Sequence, residues 1–251
     1  MIVDANVSVD KRRYPVERAV ETLGAAKVPR AVIFADPRSE NLEEENQYVL
    51  EAGQAHGLFP FLYVGGNPWT DTRPAILDLP NNLSDYAGIR WHRWVGEGID
   101  RSGTFDQDEL DWALNFMESA EFEAFVAAAA HYGLPVVFEE SFAVTVEFAL
   151  RYPSLDVIIP HMGARNGGQA NILRALWDAP NAYFDTSLSL VDETFLGRVG
   201  SERILYASAL PYGDPEAELD KIDRLPVPDE AKESIYGDNL LAPLSAYSEV
   251  T

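Results

Sequence analysis

Arg90 and His92, Glu139, His161 and Asp185 are the side chains of this 251-residue chain with types suited to joint chemistry. Each lies at or next to the end of a short run of β-branched and aromatic residues: Gly88 to His92, Pro135 to Glu139, Val157 to His161 and Ala182 to Thr186. Alternation along a strand groups Arg90 with His92, Val137 with Glu139, Ile159 with His161, and Tyr183 with Asp185. On neighbouring strands, His92, Glu139 and His161 would converge, and two imidazoles with one carboxylate form a known catalytic zinc set. Without metal the same groups read otherwise. Glu139 and Asp185 can serve as general acid and base, since an apolar mouth raises a carboxyl pKa toward neutrality. The plainest alternative has Glu139 paired with Arg90 or Arg165 and both histidines hydrogen-bonded to backbone.

Eight such runs alternate with helical segments, the pattern of parallel strands joined by crossover helices. Besides the four above they are Ile2 to Ala5, Ala31 to Ala35, Phe59 to Val64 and Ile204 to Ser208. Helices are expected over Val16 to Lys27, Leu42 to His56, Glu121 to Tyr132, Val144 to Arg151, Ala170 to Trp177 and Pro215 to Ile222. Gly57 and Gly133 can end two of these, and Pro153 and Pro180 follow two more. Eight strands predict a single (β/α)8 TIM barrel over residues 1–251, a length typical of that fold, with a doubly wound open sheet as the alternative. In a barrel, the C-terminal strand ends share one mouth, which is where the polar residues above would meet. The stretch from Asn67 to Asp85 has the weakest pattern.

Composition narrows the partners. Forty-one Asp and Glu oppose 19 Lys and Arg, a net charge of −22, so nucleic acid and anionic membranes are poor partners. Concentrated salt would screen that repulsion, which points to a salt-loving source. There is no cysteine, hence no disulfide and no thiolate site. The opening residues lack a basic-then-apolar leader and no apolar run is long enough for a membrane span, so a cytoplasmic location is expected.

Lesser candidates have ordinary readings beside the functional ones. Arg165-Asn166-Gly167-Gly168 could cradle an anion or be a turn needing positive φ. His56 and His131 precede the glycines at helix ends, where imidazole meets the helix dipole. Trp69, Trp91, Trp94 and Tyr212 could cover a ligand at the mouth or belong to the outer core.

The order of motifs resembles the amidohydrolase superfamily. Ile2-Val3-Asp4-Ala5-Asn6-Val7-Ser8 is similar to its first strand, Gly88-Ile89-Arg90-Trp91-His92 to its fourth, Val157-Ile158-Ile159-Pro160-His161-Met162-Gly163 to its sixth and Asn181-Ala182-Tyr183-Phe184-Asp185-Thr186-Ser187 to its seventh. The segment Arg203 to Pro215 resembles the eighth strand, and Ile235-Tyr236-Gly237-Asp238-Asn239 the closing motif. The resemblance implies a hydrolase binding one or two metals through a first-strand His pair, fifth- and sixth-strand His and an eighth-strand Asp. Here those positions hold Asn6, Ser8, Glu139, His161 and Ala209. Of the ligand set only His161 is retained, and Ala209 removes the carboxylate that takes a proton from the attacking water.

The expectation is a hydrolase of a small lactone- or amide-like carbonyl compound without the binuclear metal. Glu139, His161 and Asp185 would be catalytic, and Arg90, His92 and Arg165 would bind substrate. No cofactor is expected; a single divalent metal at His92, Glu139 and His161 is the remaining way to hold one. The alternative is an inactive barrel that binds a ligand or serves as an assembly subunit. The expected partner is a small molecule, with a homo-oligomer as a further possibility.

Overall fold

In the computed structural model, residues 1–65, 79–92, 111 and 114–248 are described. Eight strands follow one another around a single sheet in chain order: β1 Val3–Val9, β2 Arg30–Ala35, β3 Phe59–Gly65, β4 Gly88–His92, β5 Val136–Glu139, β6 Val157–Ile159, β7 Ala182–Asp185 and β8 Ile204–Leu205. All seven pairings are parallel. Past β8 the chain runs on beside β1. The Ala5 amide donates to the Tyr206 carbonyl at 3.0 Å and the Ser8 amide to the Leu210 carbonyl at 2.8 Å, which closes the barrel. The chain is a (β/α)8 barrel, and the open-sheet alternative falls on this closure.

The strands are short runs buried on both sides, as parallel strands covered by helices must be. Between them lie α1 Val16–Ala25, α2 Leu42–His56, α3 Ala120–Tyr132, α4 Phe142–Arg151, α5 Gln169–Leu176, α6 Glu193–Val199 and α7 Pro215–Asp223. Local chemistry sets several ends. The Asn41 side chain accepts from the Glu44 amide and Ser119 from the Phe122 amide, while Gly57 and Gly133 close their helices in the left-handed conformation at φ 65° and 62°. Helix α6 had no counterpart among the expected helices; its start is fixed by Asp192 accepting from the Phe195 amide at 2.7 Å.

Trp91 was a mouth candidate, and the fold moves it elsewhere. It is buried against Phe122 and Phe125 of α3 and stacks on Phe138 of β5, with its indole N–H on Glu140 at 2.9 Å. Alternation along β4 sends Trp91 out to the helix layer so that Arg90 and His92 face the mouth. Trp69 and Trp94 lie outside the described residues. No helix among the described residues is long and apolar enough to cross a membrane.

Candidate active site

The β4 and β5 ends form one charged unit. His92 and Glu139 are register partners, which sets the His92 Nε2 to Glu139 Oε1 distance at 3.8 Å. Arg90, two residues back on the same face, donates through Nη2 to Glu139 Oε2. All three are buried. The sequence left open whether Glu139 meets Arg90 or Arg165; the ion pair goes to Arg90. Burial disfavours the charged imidazole and lowers the His92 pKa to about 4, so His92 is neutral near pH 7. Burial alone would raise Glu139, but His92, which is protonated in the acid range where Glu139 titrates, and the Arg90 guanidinium outweigh it and hold the carboxyl at about 2. An acid held that low is a poor proton acceptor, and the charged partners of Glu139 are Arg90 and His92.

His161 is not on a strand. Strand β6 stops at Ile159, and Pro160–Gly163 form a 3-10 turn in which His161 is left-handed at φ 55° and ψ 30°. Two contacts hold that conformation. The His161 amide donates to Asp185 Oδ1 at 2.8 Å, and its ring Nδ1 lies 2.8 Å from Ser187 Oγ and 3.2 Å from the Ser187 carbonyl. A carbonyl only accepts, so Nδ1 carries the proton and the lone pair is left on Nε2. Ser187 Oγ donates onward to Asp185 Oδ1. Asp185 is fully buried, and its other oxygen accepts from the Asn6 side chain through Nδ2 at 2.8 Å. It stands beneath His161 as an anchor and is absent from the cavity wall.

Strands β1 and β8 supply neutral groups. Asn6 and Ser8 reach the cavity, Ser8 Oγ bonding the Leu210 carbonyl at 3.2 Å, and Ala209 holds the β8 position at φ 56°. Beneath them Asp4 Oδ1 accepts from the Asn6 amide at 3.0 Å and the Ser208 amide at 2.9 Å, tying β1 to the β8 extension. Complete burial raises the Asp4 pKa to about 7 despite those bonds.

These side chains line a cavity of about 130 Å³ at the mouth, together with Phe34, Pro37, Leu188 and Tyr212. Its donors do not fit a divalent metal. The β1 and β8 positions offer an amide, a hydroxyl and a methyl, poor or absent ligands, while Glu139 is neutralised by a fixed guanidinium. Among the described residues no three His, Asp or Glu side chains are grouped to hold an ion.

Arg165 lines the cavity from an exposed position. The loop after it is a turn: Gly167 and Gly168 are at φ 94° and 99°, and Asn166 is buried with its amide on the Thr145 hydroxyl at 3.1 Å. His56 and His131 sit in last helical turns. Sequence reasoning missed Ser187, whose role depends on a turn no local pattern announces. It also missed a clamp at the rim, where Arg38 grips Asp36 through Nε and Nη2 at 3.0 Å each and the Tyr212 hydroxyl donates to the same carboxylate. Burial would raise the Asp36 pKa, but these donors lower it.

A family model described as Amidohydrolase matches residues 88–239. No curated protein matches the chain in sequence. Solved structures similar along nearly the whole chain include Amidohydrolase 2 from Bifidobacterium longum subsp. infantis, with 18% identity, TM-score 0.67 and 97% and 98% of the two chains covered. An amidohydrolase from Burkholderia multivorans with bound zinc has 11% identity, TM-score 0.67 and 98% and 99% coverage. The 5-carboxyvanillate decarboxylase from Sphingomonas paucimobilis has 11% identity, TM-score 0.65 and 97% and 98% coverage. At these identities the likeness is one of fold.

Proposed function

The chain belongs to the amidohydrolase family, and from that premise we propose that it hydrolyses a small lactone- or amide-like carbonyl compound without a metal, using His161 as base. The observation that carries this reading is the Asp185–Ser187–His161 chain, which fixes the proton on Nδ1 and leaves the Nε2 lone pair for a substrate water. Nε2 takes a proton from that water as its oxygen attacks the carbonyl carbon. The C=O pair moves to the carbonyl oxygen, where the cations Arg90 and Arg165 favour the developing charge. When the intermediate collapses, the carbonyl re-forms, the bond from its carbon to the lactone oxygen or amide nitrogen breaks, and that leaving atom takes the proton from His161. Neutral His92, beside Glu139, binds substrate. Arg90, although paired with Glu139, keeps Nε and Nη1 hydrogens that have no partner among the described residues and can donate to the carbonyl oxygen.

Turnover of a panel of lactones and simple esters tests this directly. His161→Asn is expected to lower kcat by ~10²- to 10⁴-fold, the usual contribution of a general base, with KM little changed. A variant matching the parent would remove His161 from the reaction. A second reading, a binding barrel without activity, is favoured by Ala209, which leaves no carboxylate at the β8 end. It takes over if the parent never exceeds background on the panel.

A further inference from the structure

Five non-glycine residues among those described have left-handed backbones, and four of them surround the mouth: His161, Met162, Leu188 and Ala209. His161 is held there by the contacts that set its tautomer. Leu188 has no such account. At φ 53° it occupies a conformation that a leucine adopts only under constraint, and it is 45% exposed, so packing in the core does not require it.

The constraint comes from α7. Glu218 Oε1 accepts the Leu188 amide at 3.2 Å, and its ion-pair partner Lys221 donates to the carbonyls of Thr186 at 2.8 Å and Ser189 at 2.6 Å. Both sides of the leucine are therefore pinned by one pair of side chains. Gly213 leaves room beneath it: a Cβ at that glycine would lie 3.3 Å from Leu188 Cδ2 and 2.0 Å from the Ser208 carbonyl oxygen. The result is a leucine side chain on the cavity wall, where Phe34, Pro37, Leu210 and Tyr212 are the other apolar members of a lining that also carries Asn6, Arg90, His92 and His161. An asparagine or glycine would take this backbone at lower cost, so the leucine is kept at a conformational cost that only its side chain explains.

We propose that Leu188 is a specificity-determining residue of the mouth, which selects carbonyl compounds carrying an alkyl or other apolar substituent beside the reacting group. The polar end of the ligand faces Arg90, His92 and His161, and the substituent lies against Leu188. The inference deepens the proposed hydrolysis and uses the same cavity, but it concerns binding and can be read without turnover.

The probe is a series of five-membered lactams, which resist hydrolysis, bearing hydrogen, propyl or pentyl at the carbon next to the ring nitrogen, titrated by calorimetry. In the parent, affinity is expected to rise with the substituent by up to about fourfold for each methylene buried. Leu188→Asn and Leu188→Gly both accept the left-handed backbone. Each is expected to lose most of the chain-length preference while melting at or above the parent temperature, because the strain is relieved. A parent indifferent to chain length, or not binding the series, would overturn the proposal, as would variants that keep the preference. Melting below the parent in both variants would assign Leu188 to packing and overturn it as well. Chain-length preference without hydrolysis of the matching lactones would leave this inference standing and remove the proposed reaction. Hydrolysis without chain-length preference would do the reverse.

Discussion

The mouth of the barrel divides into two arcs built on the same plan and furnished in opposite ways. From β4 to β7, strand ends and the turns after them carry Arg90, His92, Glu139, His161 and Asp185; from β8 round to β1 they carry Ala209, Ser8 and Asn6. The charged arc pairs its ions, although Arg90 Nε and Nη1 and Glu139 Oε1 are left without a hydrogen bond among the described residues. Arg90 neutralises Glu139, and Asp185 is consumed by Asn6, Ser187 and the His161 amide. The neutral arc keeps the carboxyl of Asp4 fully buried and off the cavity wall. A buried charge must be paired or its ionised form avoided, and the two arcs show one solution each.

The largest effect expected from this contrast lies in the charged arc. In Arg90→Met, Glu139 remains buried with no cation to neutralise it, at a cost of about 3–5 kcal/mol. Urea denaturation should show that loss, and adding Glu139→Leu should recover most of it, because a buried pair removed whole leaves no orphan charge. A single-variant loss below about 1 kcal/mol would mean that water reaches Glu139 and that the arc is not self-neutralised.

The fold was legible because its signal is local: runs of Val, Ile and Phe at barrel spacing, glycines at φ near 60° after helices and a proline after others. Helix α2 forms over the predicted Leu42–His56. The convergence of His92 with Glu139 was legible too, since both end strands that pair in register. What the sequence could not yield depends on backbone turns and long-range pairing. His161 lies past the end of β6 in a left-handed turn, and Ser187, 26 residues later, decides its tautomer. Asp185 reads as a mouth acid but is covered by that turn. Arg38 and Tyr212 meet at Asp36 across 176 residues of chain, with no pattern in either segment to announce the contact.

The arcs should also answer pH with opposite sign. The His92 pKa is depressed from 6.5 to about 4, so its contribution is present above pH 6.5 and is lost as pH falls through 4. Asp4 is raised from 3.8 to about 7, so its contribution is complete below pH 3.8 and is lost as pH rises through 7. Asp4→Asn cannot ionise and keeps an oxygen for the amides of Asn6 and Ser208. Relative to the parent, it should gain roughly 4 kcal/mol between pH 4 and pH 8 and level off beyond, measured as the difference between two stability curves. A constant difference across that range would show that Asp4 is not desolvated and that the neutral arc holds a solvated charge.

The smallest expected effect is a null one, and it bears most directly on the family's metal. Ala209 already has a left-handed backbone at φ 56°, a conformation that aspartate tolerates better than alanine, so Ala209→Asp restores the missing carboxylate without moving the chain. A carboxylate alone does not make a site. Asn6 and Ser8 are neutral oxygen and nitrogen donors, the Asn6 side-chain amide is held by Asp185 at 2.8 Å, and Glu139 across the cavity answers to Arg90. Zinc needs three or four imidazole, carboxylate or thiolate donors in one shell. Elemental analysis after dialysis against zinc should therefore find no more metal in Ala209→Asp than in the parent. The combined variant Asn6→His, Ser8→His, Ala209→Asp presents three suitable donors on one arc and should retain zinc. Stoichiometric zinc in the single variant would mean that Asn6 and Ser8 act as ligands after all, and the division of the mouth into a charged and a neutral arc would collapse.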